Sequence, residues 1–276
     1  VRGFNQNNVA IMINGVPVND MENGWVYWSN WDGVGDATSS IQMQRGLSAV
    51  NLATPSIGGT MNVITNPAEQ KAGLTYKQEF GTGNFMKSTL FGHTGLINGK
   101  WAISAGGVRK TGQGVIDKTW TDAWAYYFGA SYNINSKNRL EFYANGAPQR
   151  HGQNLYKQNI AAYSHSYASS FDGWPQGALE KFPESQSGRF YNENWGSVHH
   201  SYTGKQYWNG KTSDRYNPHY LNERENYYHK PLMNMNWNTQ FSDKVSLYTT
   251  AYYSGGKGVG TGTAGSNKWD YSGPSR

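Results

Sequence analysis

Four histidines lie in one long stretch of the chain, residues 148–230: His199, His200, His219 and His229. Imidazole nitrogens are common ligands of zinc and other transition metals, so a metal site in this stretch is one interpretation. The spacing of these histidines matches no known ligand pattern, and the chain has no cysteine to complete a sulfur-containing site. We therefore favour ordinary surface histidines and predict no metal site here.

A second group of candidate ligands is acidic and lies near the N-terminus, with Gly24 and Gly33 close by: Asp20, Glu22, Asp32 and Asp36. Carboxylates on a glycine-containing loop are the ligands that calcium prefers, so a calcium site is conceivable. The other interpretation is a set of solvated loop carboxylates, and it is the one that we favour.

The sequence contains none of the short motifs that mark common catalytic sites, such as HExxH, GxSxG or GxxxxGK[ST]. The glycine-rich stretch 255–265 lacks the strand-then-helix context of a nucleotide-binding loop, so it is read as a flexible loop. The net charge of +6 is dispersed along the chain, which argues against a nucleic-acid groove. We predict no catalytic residue, no enzyme, no cofactor and no nucleic-acid partner.

Aromatic residues are the strongest candidates for binding a ligand. The stretch 148–230 contains many of them among Asn, Gly, Arg and Lys: Trp174, Tyr191, Trp195, Tyr202, Tyr207, Trp208, Tyr220, Tyr227 and Tyr228. A second group near the N-terminus comprises Trp25, Tyr27, Trp28 and Trp31. Rigid amphipathic rings suit the recognition of sugars, aromatic chelates or peptides, whereas packing among themselves is the alternative. The ligand-binding candidates are Trp25, Trp28, Trp31, Trp174, Trp195 and Trp208.

The composition restricts the kind of scaffold that carries these residues. Aromatic residues make up 15% of the 276 residues and charged residues another 15%, while the mean hydropathy is −0.75. No run approaches the roughly 20 apolar residues that a membrane-spanning helix requires. A helical membrane protein is therefore excluded, but a transmembrane β-barrel is compatible because its strands alternate apolar and polar residues.

From Leu74 onward the pattern has a period of two. In residues 122–134, large apolar side chains alternate with small or polar ones, so one face suits lipid and the other a packed or wet lumen. In residues 233–241, Met, Trp and Phe alternate with Asn and Gln, and we expect this amide row to meet water or polar partners. Five further strands are predicted at 74–80, 85–97, 101–109, 139–145 and 245–253.

The connections between these strands alternate in length. Residues 98–100, 135–138 and 242–244 form tight turns, whereas the intervening connections, at the other end, are 81–84, 111–120 and the very long stretch 148–230. Outer-membrane barrels have short periplasmic turns and long extracellular loops. The pattern therefore indicates part of such a barrel.

The N-terminal segment reads differently, as short strands separated by loops. Strands are predicted at 9–13, 16–18, 41–44 and 57–64, with a hairpin turn at Asn14-Gly15 and one helical turn at 36–40. Gly58-Gly59 indicates a close approach of two backbones.

Four motifs in this segment resemble the plug domain of TonB-dependent outer-membrane transporters. They are Arg2-Gly3-Phe4, Ile13-Asn14-Gly15-Val16-Pro17-Val18, Ile41-Gln42-Met43-Gln44-Arg45-Gly46-Leu47, and Gly58-Gly59-Thr60-Met61-Asn62-Val63-Ile64-Thr65. Each is weak by itself, but their order before a β-alternating region is specific. Departures from the family pattern are Leu47 for Pro, Gln42 for Glu, and Asn51-Leu52-Ala53 where Tyr-Gly is common.

The resemblance implies an all-β dominated fold, a transmembrane antiparallel β-barrel with a mixed α/β plug in its lumen. Residues 1–70 would form the C-terminal part of the plug, and 71–276 the first barrel strands with a long extracellular loop at about 148–230. Only about seven of about 22 barrel strands are found, and open sheet edges cannot stand in hydrocarbon. We therefore expect the chain, which opens without a signal peptide at Val1-Arg2-Gly3, to be a segment of something longer.

The resemblance also implies a function, the active import of a large scarce nutrient across the outer membrane of a Gram-negative bacterium. Siderophores, cobalamin, haem, glycans and peptides are the candidate nutrients. The implied partners are TonB with its inner-membrane energising complex and outer-membrane lipid or lipopolysaccharide, with a surface lipoprotein as a further candidate. The alternative is a barrel subunit with an interaction or structural role in an envelope assembly. A passive porin is disfavoured because a plug fills the lumen.

Strand parity suggests how a plug could be seated in the barrel. Arg2 and Arg45 of the plug could pair with inward carboxylates of the wall such as Glu79 or Glu141. This hypothesis assigns the cations to the plug and the anions to the barrel wall.

Overall fold

The computed structural model describes residues 3–46, 56–155, 158–197, 205–208, 211–214 and 219–262. The N-terminal part forms a four-stranded mixed sheet, here called the plug sheet, with the order β2-β1-β4-β3. Strands β1 and β4 run parallel, and the two outer pairs are antiparallel. The strand bounds are β1 Val9–Ile13, β2 Val16–Pro17, β3 Ser40–Arg45 and β4 Gly59–Ile64.

Strands β1 and β2 form the predicted hairpin around Asn14-Gly15. Both residues have positive φ, 50° and 85°, as a two-residue type I′ turn requires. Strand β1 is buried along its whole length because it lies between β2 and β4 and carries the aliphatic core of the plug sheet. That core comprises Val9, Ile11, Ile13, Val16, Val18, Val26, Trp31, Val34 and Val63.

One helical turn, α1 Val34–Ala37, precedes β3. The sequence predicted this turn at 36–40, two residues later. Gly33, with a φ of 86°, begins the turn and lies against the barrel wall, where a Cβ would sit 3.0 Å from the Cβ of Ala125. Short 3-10 turns occur at Gln6–Asn8, Trp28–Trp31 and Pro67–Glu69.

The remainder is dominated by an antiparallel sheet, here called the wall. Seven strands follow one another in the order β5-β6-β7-β8-β9-β16-β17. Their bounds are β5 Gly73–Gly81, β6 Phe85–His93, β7 Trp101–Gly112, β8 Thr121–Asn135, β9 Asn138–Gly146, β16 Leu232–Ser242 and β17 Val245–Ser254. All seven predicted strands are present, although β6 ends at His93 instead of residue 97.

The burial of β8 follows the period of two. Trp124, Tyr126, Phe128 and Tyr132 are between 38 and 57% exposed. The residues between them, among them Ala123, Ala125, Tyr127, Gly129 and Ser131, are buried. The predicted division into an apolar outer face and a packed inner face is therefore confirmed for this strand.

Three strands of the wall, β9, β16 and β17, are each continued by a shorter strand in the long-loop region. The shorter strands are, in the same order, β10 Gln149–Gly152, β15 Glu225–His229 and β18 Lys257–Gly260. The interruptions lie at Ala147-Pro148, Lys230-Pro231 and Gly255-Gly256, and the pairing register is the same on both sides. Proline has no N–H to donate to a ladder, which accounts for two of these interruptions.

The stretch predicted as one long loop contains secondary structure of its own. The described part has two short helices, α2 His165–Ser169 and α3 Gln176–Lys181, and 3-10 turns at Ile160–Ala162 and Gly188–Phe190. Four short strands pair as β11 Trp195–Ser197 with β14 Tyr220–Asn222, and β12 Lys205–Trp208 with β13 Lys211–Asp214.

The fold class expected from the sequence is confirmed, since strands dominate and the plug sheet packs on the wall. Within the described ranges, no helix has the length and apolar character needed to cross a membrane.

Candidate functional site

The plug sheet and α1 pack on the inner face of the wall. Leu232 of β16, 1% exposed, completes the core of the plug sheet. Ala37 at the end of α1 joins a second buried cluster with wall residues that include Val108, Ala125 and Tyr127. The inner face is therefore the side of the wall that a barrel would turn toward its lumen.

A buried hydrogen-bond chain joins the plug sheet to β8. The hydroxyl of Tyr127 lies 2.7 Å from the backbone oxygen of Thr65 and 2.9 Å from its Oγ1. Asn14, in the hairpin turn, makes two hydrogen bonds to Thr65 through its side chain. Its Nδ2 donates to Oγ1 of Thr65 at 2.8 Å, and its Oδ1 accepts from the backbone amide of Thr65 at 2.9 Å. All three residues are less than 9% exposed. The tip of the hairpin, the end of β4 and the wall thus form one network.

The amide row of β16 forms part of the seat for the plug. Asn236 donates through Nδ2 to the backbone oxygen of Asn14 at 3.0 Å, and Asn234 donates to Oδ1 of Asn236 at 3.1 Å. The prediction that this face meets polar partners is confirmed. The amides are tolerated because the turn of the plug hairpin offers unpaired backbone groups there.

Two ion pairs hold the segment around α1 against the wall. Nζ of Lys87 on β6 lies 3.4 Å from Oδ2 of Asp36, and Nζ of Lys110 on β7 contacts Oδ2 of Asp32. Lys87 and Lys110 are direct register partners, so their side chains stand next to each other on the inner face. All four side chains are between 17 and 25% exposed. At this depth a pair is screened less than at a free surface.

For Arg45, the hypothesis of plug arginines paired with wall carboxylates is wrong, and the observed pairs have the opposite polarity. The plug supplies the carboxylates and the wall supplies the lysines. Glu79 pairs with Lys77 and Lys87, and Glu141 pairs with its neighbour Arg139 at 2.9 Å, so both wall carboxylates have cations from the wall itself. Arg45 is exposed at the end of β3, and Arg2 lies outside the described residues.

A polar cavity of about 420 Å³ lies between the hairpin-turn end of the plug sheet, at Asn14 and Gly15, and the inner face of β9, β16 and β17. Amide side chains from both sides line it, together with the ion pair of Arg139 and Glu141. Such a lining can hold water or a polar solute.

The residues of the plug motifs have structural roles in the plug sheet. Asn14 and Gly15 form the hairpin turn, and Pro17 ends β2. A Cβ on Gly59 would lie 2.3 Å from the backbone oxygen of Gln44, which confirms the predicted close approach of two strands. Gly58 is equally confined, with a Cβ position 2.8 Å from the Asn8 oxygen. Gly3 and Gly46 have positive φ.

The loop between β2 and α1, residues 18–33, lies at the same end of the wall as the long loops; we call it the apex loop. Its second half is fixed to the wall, because Gln149 donates to Oδ1 of Asn30 at 3.3 Å and Lys110 contacts Asp32. Lys230 lies over the Trp31 ring, 5.8 Å from its centroid.

The aromatic part of the apex loop that precedes residue 30 projects from the plug sheet. Trp25, Tyr27 and Trp28 are 45, 54 and 48% exposed, whereas Trp31 is 5% exposed and belongs to the plug core. Three of the four aromatic residues expected near the N-terminus therefore form a surface at the long-loop end. We call Trp25, Tyr27 and Trp28 the apex patch.

A compact base built on asparagines supports the long-loop region. Asn192 is fully buried and donates through Nδ2 to the backbone oxygens of Asp117 and Gln153, at 2.8 and 3.3 Å. Asn194 donates to Oδ1 of Asn192, and Asn222 donates to the oxygen of Lys118 at 3.0 Å. Three separate chain segments are thereby tied to the loop between β7 and β8.

The ammonium group of Lys118 occupies the space between two rings of this base. Its Nζ lies 4.6 Å from the centroid of the Trp195 ring and 4.8 Å from that of Tyr220, and the two rings meet edge to face. A cation in this position is attracted by both ring faces. In this arrangement Trp195 therefore packs on a lysine of the same chain.

Other predicted site residues lie apart from one another. Trp174 is half-buried, and its Nε1 has no hydrogen-bond partner within the described ranges. His229 faces outward against Tyr126, with 3.2 Å between Nε2 and the hydroxyl. His199, His200, Tyr202 and the side chain of Trp208 lie outside what the structure describes.

The four acidic residues predicted as a group near the N-terminus do not gather around one point. Asp20 caps its own turn, accepting from the amides of Glu22 and Asn23 at 3.0 and 3.1 Å. Asp32 and Asp36 bind the wall lysines. Among the described residues there is no group of three or more His, Asp or Glu side chains arranged to hold a metal ion.

Sequence reasoning missed Lys87, Lys110 and Thr65. Their positions carried a partial signal, since both lysines fall on the inward parity of predicted strands. Asp36, the partner of Lys87, lies 51 residues away in the chain, and Asp32, the partner of Lys110, lies 78 residues away. No local sequence pattern identifies such distant partners.

No protein-family model matches the chain, and no curated protein matches it either. Solved structures do. The ferric-catecholate import receptor Fiu from E. coli K12, in its open form, aligns with a TM-score of 0.60 at 15% identity over 93% of this chain and 33% of the receptor. The siderophore receptor PiuA from Acinetobacter baumannii aligns with 0.56 at 12% identity, over 94 and 30%. The alcaligin outer-membrane receptor FauA from Bordetella pertussis aligns with 0.56 at 10% identity, over 95 and 32%.

The chain spans about a third of the length of these receptors. Its plug sheet, its antiparallel wall and the packing of one on the other are what the alignments cover. The fold that the resemblance to TonB-dependent transporters implied is therefore confirmed: this chain has the plug-and-barrel fold of the outer-membrane import receptors.

Proposed function

We propose that the protein to which this chain belongs imports a large, scarce nutrient across the outer membrane of a Gram-negative bacterium. The observation that carries the proposal is the seating of the plug sheet on the inner face of the wall through polar contacts. Tyr127 to Thr65, Asn236 to Asn14, and the two lysine–aspartate pairs are bonds that water and counter-ions can replace. A plug held in this way can be moved without unfolding the wall.

The outer face of the wall supports placement in a membrane. The side chains that point away from the plug include Leu74, Tyr76, Phe80, Leu90, Phe128, Phe142, Met235 and Trp237, all exposed by 38% or more. Aromatic and aliphatic residues in this arrangement suit contact with outer-membrane lipid and lipopolysaccharide. We assign the apex patch and the loop base to the extracellular side, where nutrient would arrive.

The movement of the plug requires energy, and we infer that it comes from TonB and its inner-membrane energising complex. Transport rather than catalysis is the proposed activity. A surface lipoprotein covering the long loops stays a candidate partner.

The test is growth of a strain that lacks the full-length gene on single iron, vitamin, glycan and peptide sources. We expect a defect on at least one source, and complementation only where TonB is present. As a matched pair, Asp32→Asn weakens the plug seat while Asp243→Asn alters an exposed turn at the opposite end of the wall. Growth on every source without the gene would refute the importer and favour the alternative, a structural subunit of an envelope assembly. Complementation without TonB would refute energised transport.

A further inference from the structure

The apex patch combines exposure with fixed geometry. The ring hydroxyl of Tyr27 accepts from Nδ2 of Asn23 at 3.0 Å, and Nε1 of Trp28 donates to Oε1 of Gln6 at 3.1 Å. The amide of Trp25 is bound to Oδ1 of Asn23 at 2.8 Å. The rings of Tyr27 and Trp28 and the backbone of Trp25 are therefore held in place, while the three side chains stay 45 to 54% exposed. Binding of a ligand on this surface costs less conformational entropy when the side chains are ordered beforehand.

The turn beneath the patch is also fixed. The carboxylate of Asp20 binds two backbone amides, and the backbone of Asp20 is paired with those of Gly24 and Trp25 at 2.8 Å. Gly24 packs on Asn7, where an added Cβ would lie 3.1 Å from the Asn7 oxygen. The patch thus stands on a small preformed unit that joins residues 4–8 to residues 20–28.

The charge of this unit is one-sided. Between Gly3 and Gln44 the sequence has four carboxylates and no Lys, Arg or His. Two of the carboxylates, Asp32 and Asp36, are balanced by the wall lysines. The other two, Asp20 and Glu22, lie beside the apex patch, and Glu22 is exposed. Within residues 3–44, all of which the structure describes, no Lys, Arg or His is available there to balance an anionic ligand.

An anionic ferric chelate would therefore meet repulsion at this surface, because its charge faces carboxylates and amide oxygens. A neutral ligand that is rich in hydroxyl groups fits better. Its hydroxyls can donate to a carboxylate in charge-assisted bonds and exchange hydrogen bonds with the amides of Gln6 and Asn23. Its apolar ring faces can cover the two indoles.

We propose that the apex patch binds an uncharged oligosaccharide, with sugar rings stacked on Trp25 and Trp28 and hydroxyls bound to Glu22 and the neighbouring amides. This inference rests on the proposed import function and names its substrate class. It distinguishes this chain from the solved neighbours named for ferric ligands. The two indoles, 45 and 48% exposed, offer apolar ring faces on which a sugar ring can stack.

The test uses the purified full-length receptor in detergent. It is screened against an array of neutral glucans, mannans, xylans and galactans, and against ferric tris-catecholate and ferric citrate as anionic probes. Hits are measured by calorimetry. We expect a neutral oligosaccharide to bind, Trp28→Ala to weaken its binding at least tenfold, and Glu22→Lys to weaken it while the fold is kept. Trp237→Ala is the matched control, since that indole is 43% exposed on the outer face.

Three results would overturn the inference. One is that no neutral oligosaccharide on the array binds; another is that a ferric probe binds and is lost in Trp28→Ala. The third is that Trp28→Ala lowers the melting temperature but leaves the affinity for the sugar unchanged, which would make the patch a packing surface. TonB-dependent uptake of a ferric probe would retain the import function while refuting the oligosaccharide. Sugar binding without any TonB-dependent uptake would retain the oligosaccharide site while refuting the import function.

Discussion

Replacing Tyr127 by Phe removes one hydroxyl from the buried contact between the plug sheet and β8. The ring stays, so the apolar packing of the inner face is kept. What is lost is the bond to Thr65, whose backbone oxygen lies 2.7 Å from the hydroxyl. Tyr127 is 5% and Thr65 is 1% exposed, so water does not replace the partner while the plug is seated.

Leaving a buried acceptor without its donor costs about 1–3 kcal/mol. Since about 1.36 kcal/mol corresponds to a factor of ten, the population with the plug displaced should rise about 5- to 150-fold. The amide of Thr65 reports this opening, because it donates to Oδ1 of Asn14 within the same network at 2.9 Å. We expect hydrogen exchange, measured by mass spectrometry on a peptide covering residues 59–66 of the full-length receptor, to accelerate by that factor.

Tyr132→Phe is the matched control. Tyr132 lies on the same strand but faces outward, 45% exposed, and lacks a contact with the plug in the described part of the chain. Exchange in residues 59–66 should be unchanged in this variant. An unchanged rate in Tyr127→Phe, or an equal acceleration in both variants, would refute the role of the Tyr127 hydroxyl in seating the plug.

Three further predictions concern the wall and the loop base. A Cβ on Gly106 would lie 2.4 Å from the buried Phe91 ring, whereas a Cβ on Gly107 would meet only an oxygen at 3.7 Å. In urea titrations, Gly106→Ala should therefore lower the free energy of unfolding by about 1–3 kcal/mol, and Gly107→Ala by much less. Equal effects of the two substitutions would contradict the packing of Gly106 on Phe91. Burial lowers the pKa of His151 in β10, so the contribution of this histidine to stability is present above the unfolded-state pKa of about 6.5 and is lost as pH falls below that value. His151→Gln should flatten the dependence of the melting temperature on pH between pH 7 and 5. An unaltered pH dependence would contradict this role of His151. Asn192→Ala should expose residues 158–197 to limited proteolysis without changing the melting of the wall, and resistance equal to that of the wild type would disprove the role of this asparagine.

Local patterns were sufficient to predict the four strands of the plug sheet and the seven strands of the wall, but not the short strands within the stretches predicted as loops. In β8 the alternation of large apolar and small or polar residues places one set on the outer face of the wall and the other toward the plug, and the burial of the strand follows this alternation. The same holds for the hairpin at Asn14-Gly15, because few residue pairs accept positive φ twice in succession. These features depend on neighbours one or two positions away, and a sequence displays such neighbours directly.

The docking of the plug could not be read in this way. Asp36 and Lys87 are 51 residues apart, and Asp32 and Lys110 are 78 residues apart. Parity placed the lysines on the inner face, but which carboxylate meets them depends on how the plug sheet is oriented on the wall. Charge alone allowed the opposite assignment, with arginines on the plug, and for Arg45 that assignment is wrong.

The long-loop region shows the same limit. Its Asn, Gly and Ser content is typical of an exposed loop, yet Asn192, Asn194 and Asn222 are among the most buried side chains of the described residues. An amide can be buried once its donors and acceptors are satisfied, and here backbone oxygens from other segments satisfy them. The sequence by itself thus determined the strands and tight turns of the plug sheet and of the seven-stranded wall, and which face of the wall turns away from the plug. Only the tertiary structure decided which polar groups are buried together, because their partners come from parts of the chain that only folding brings together.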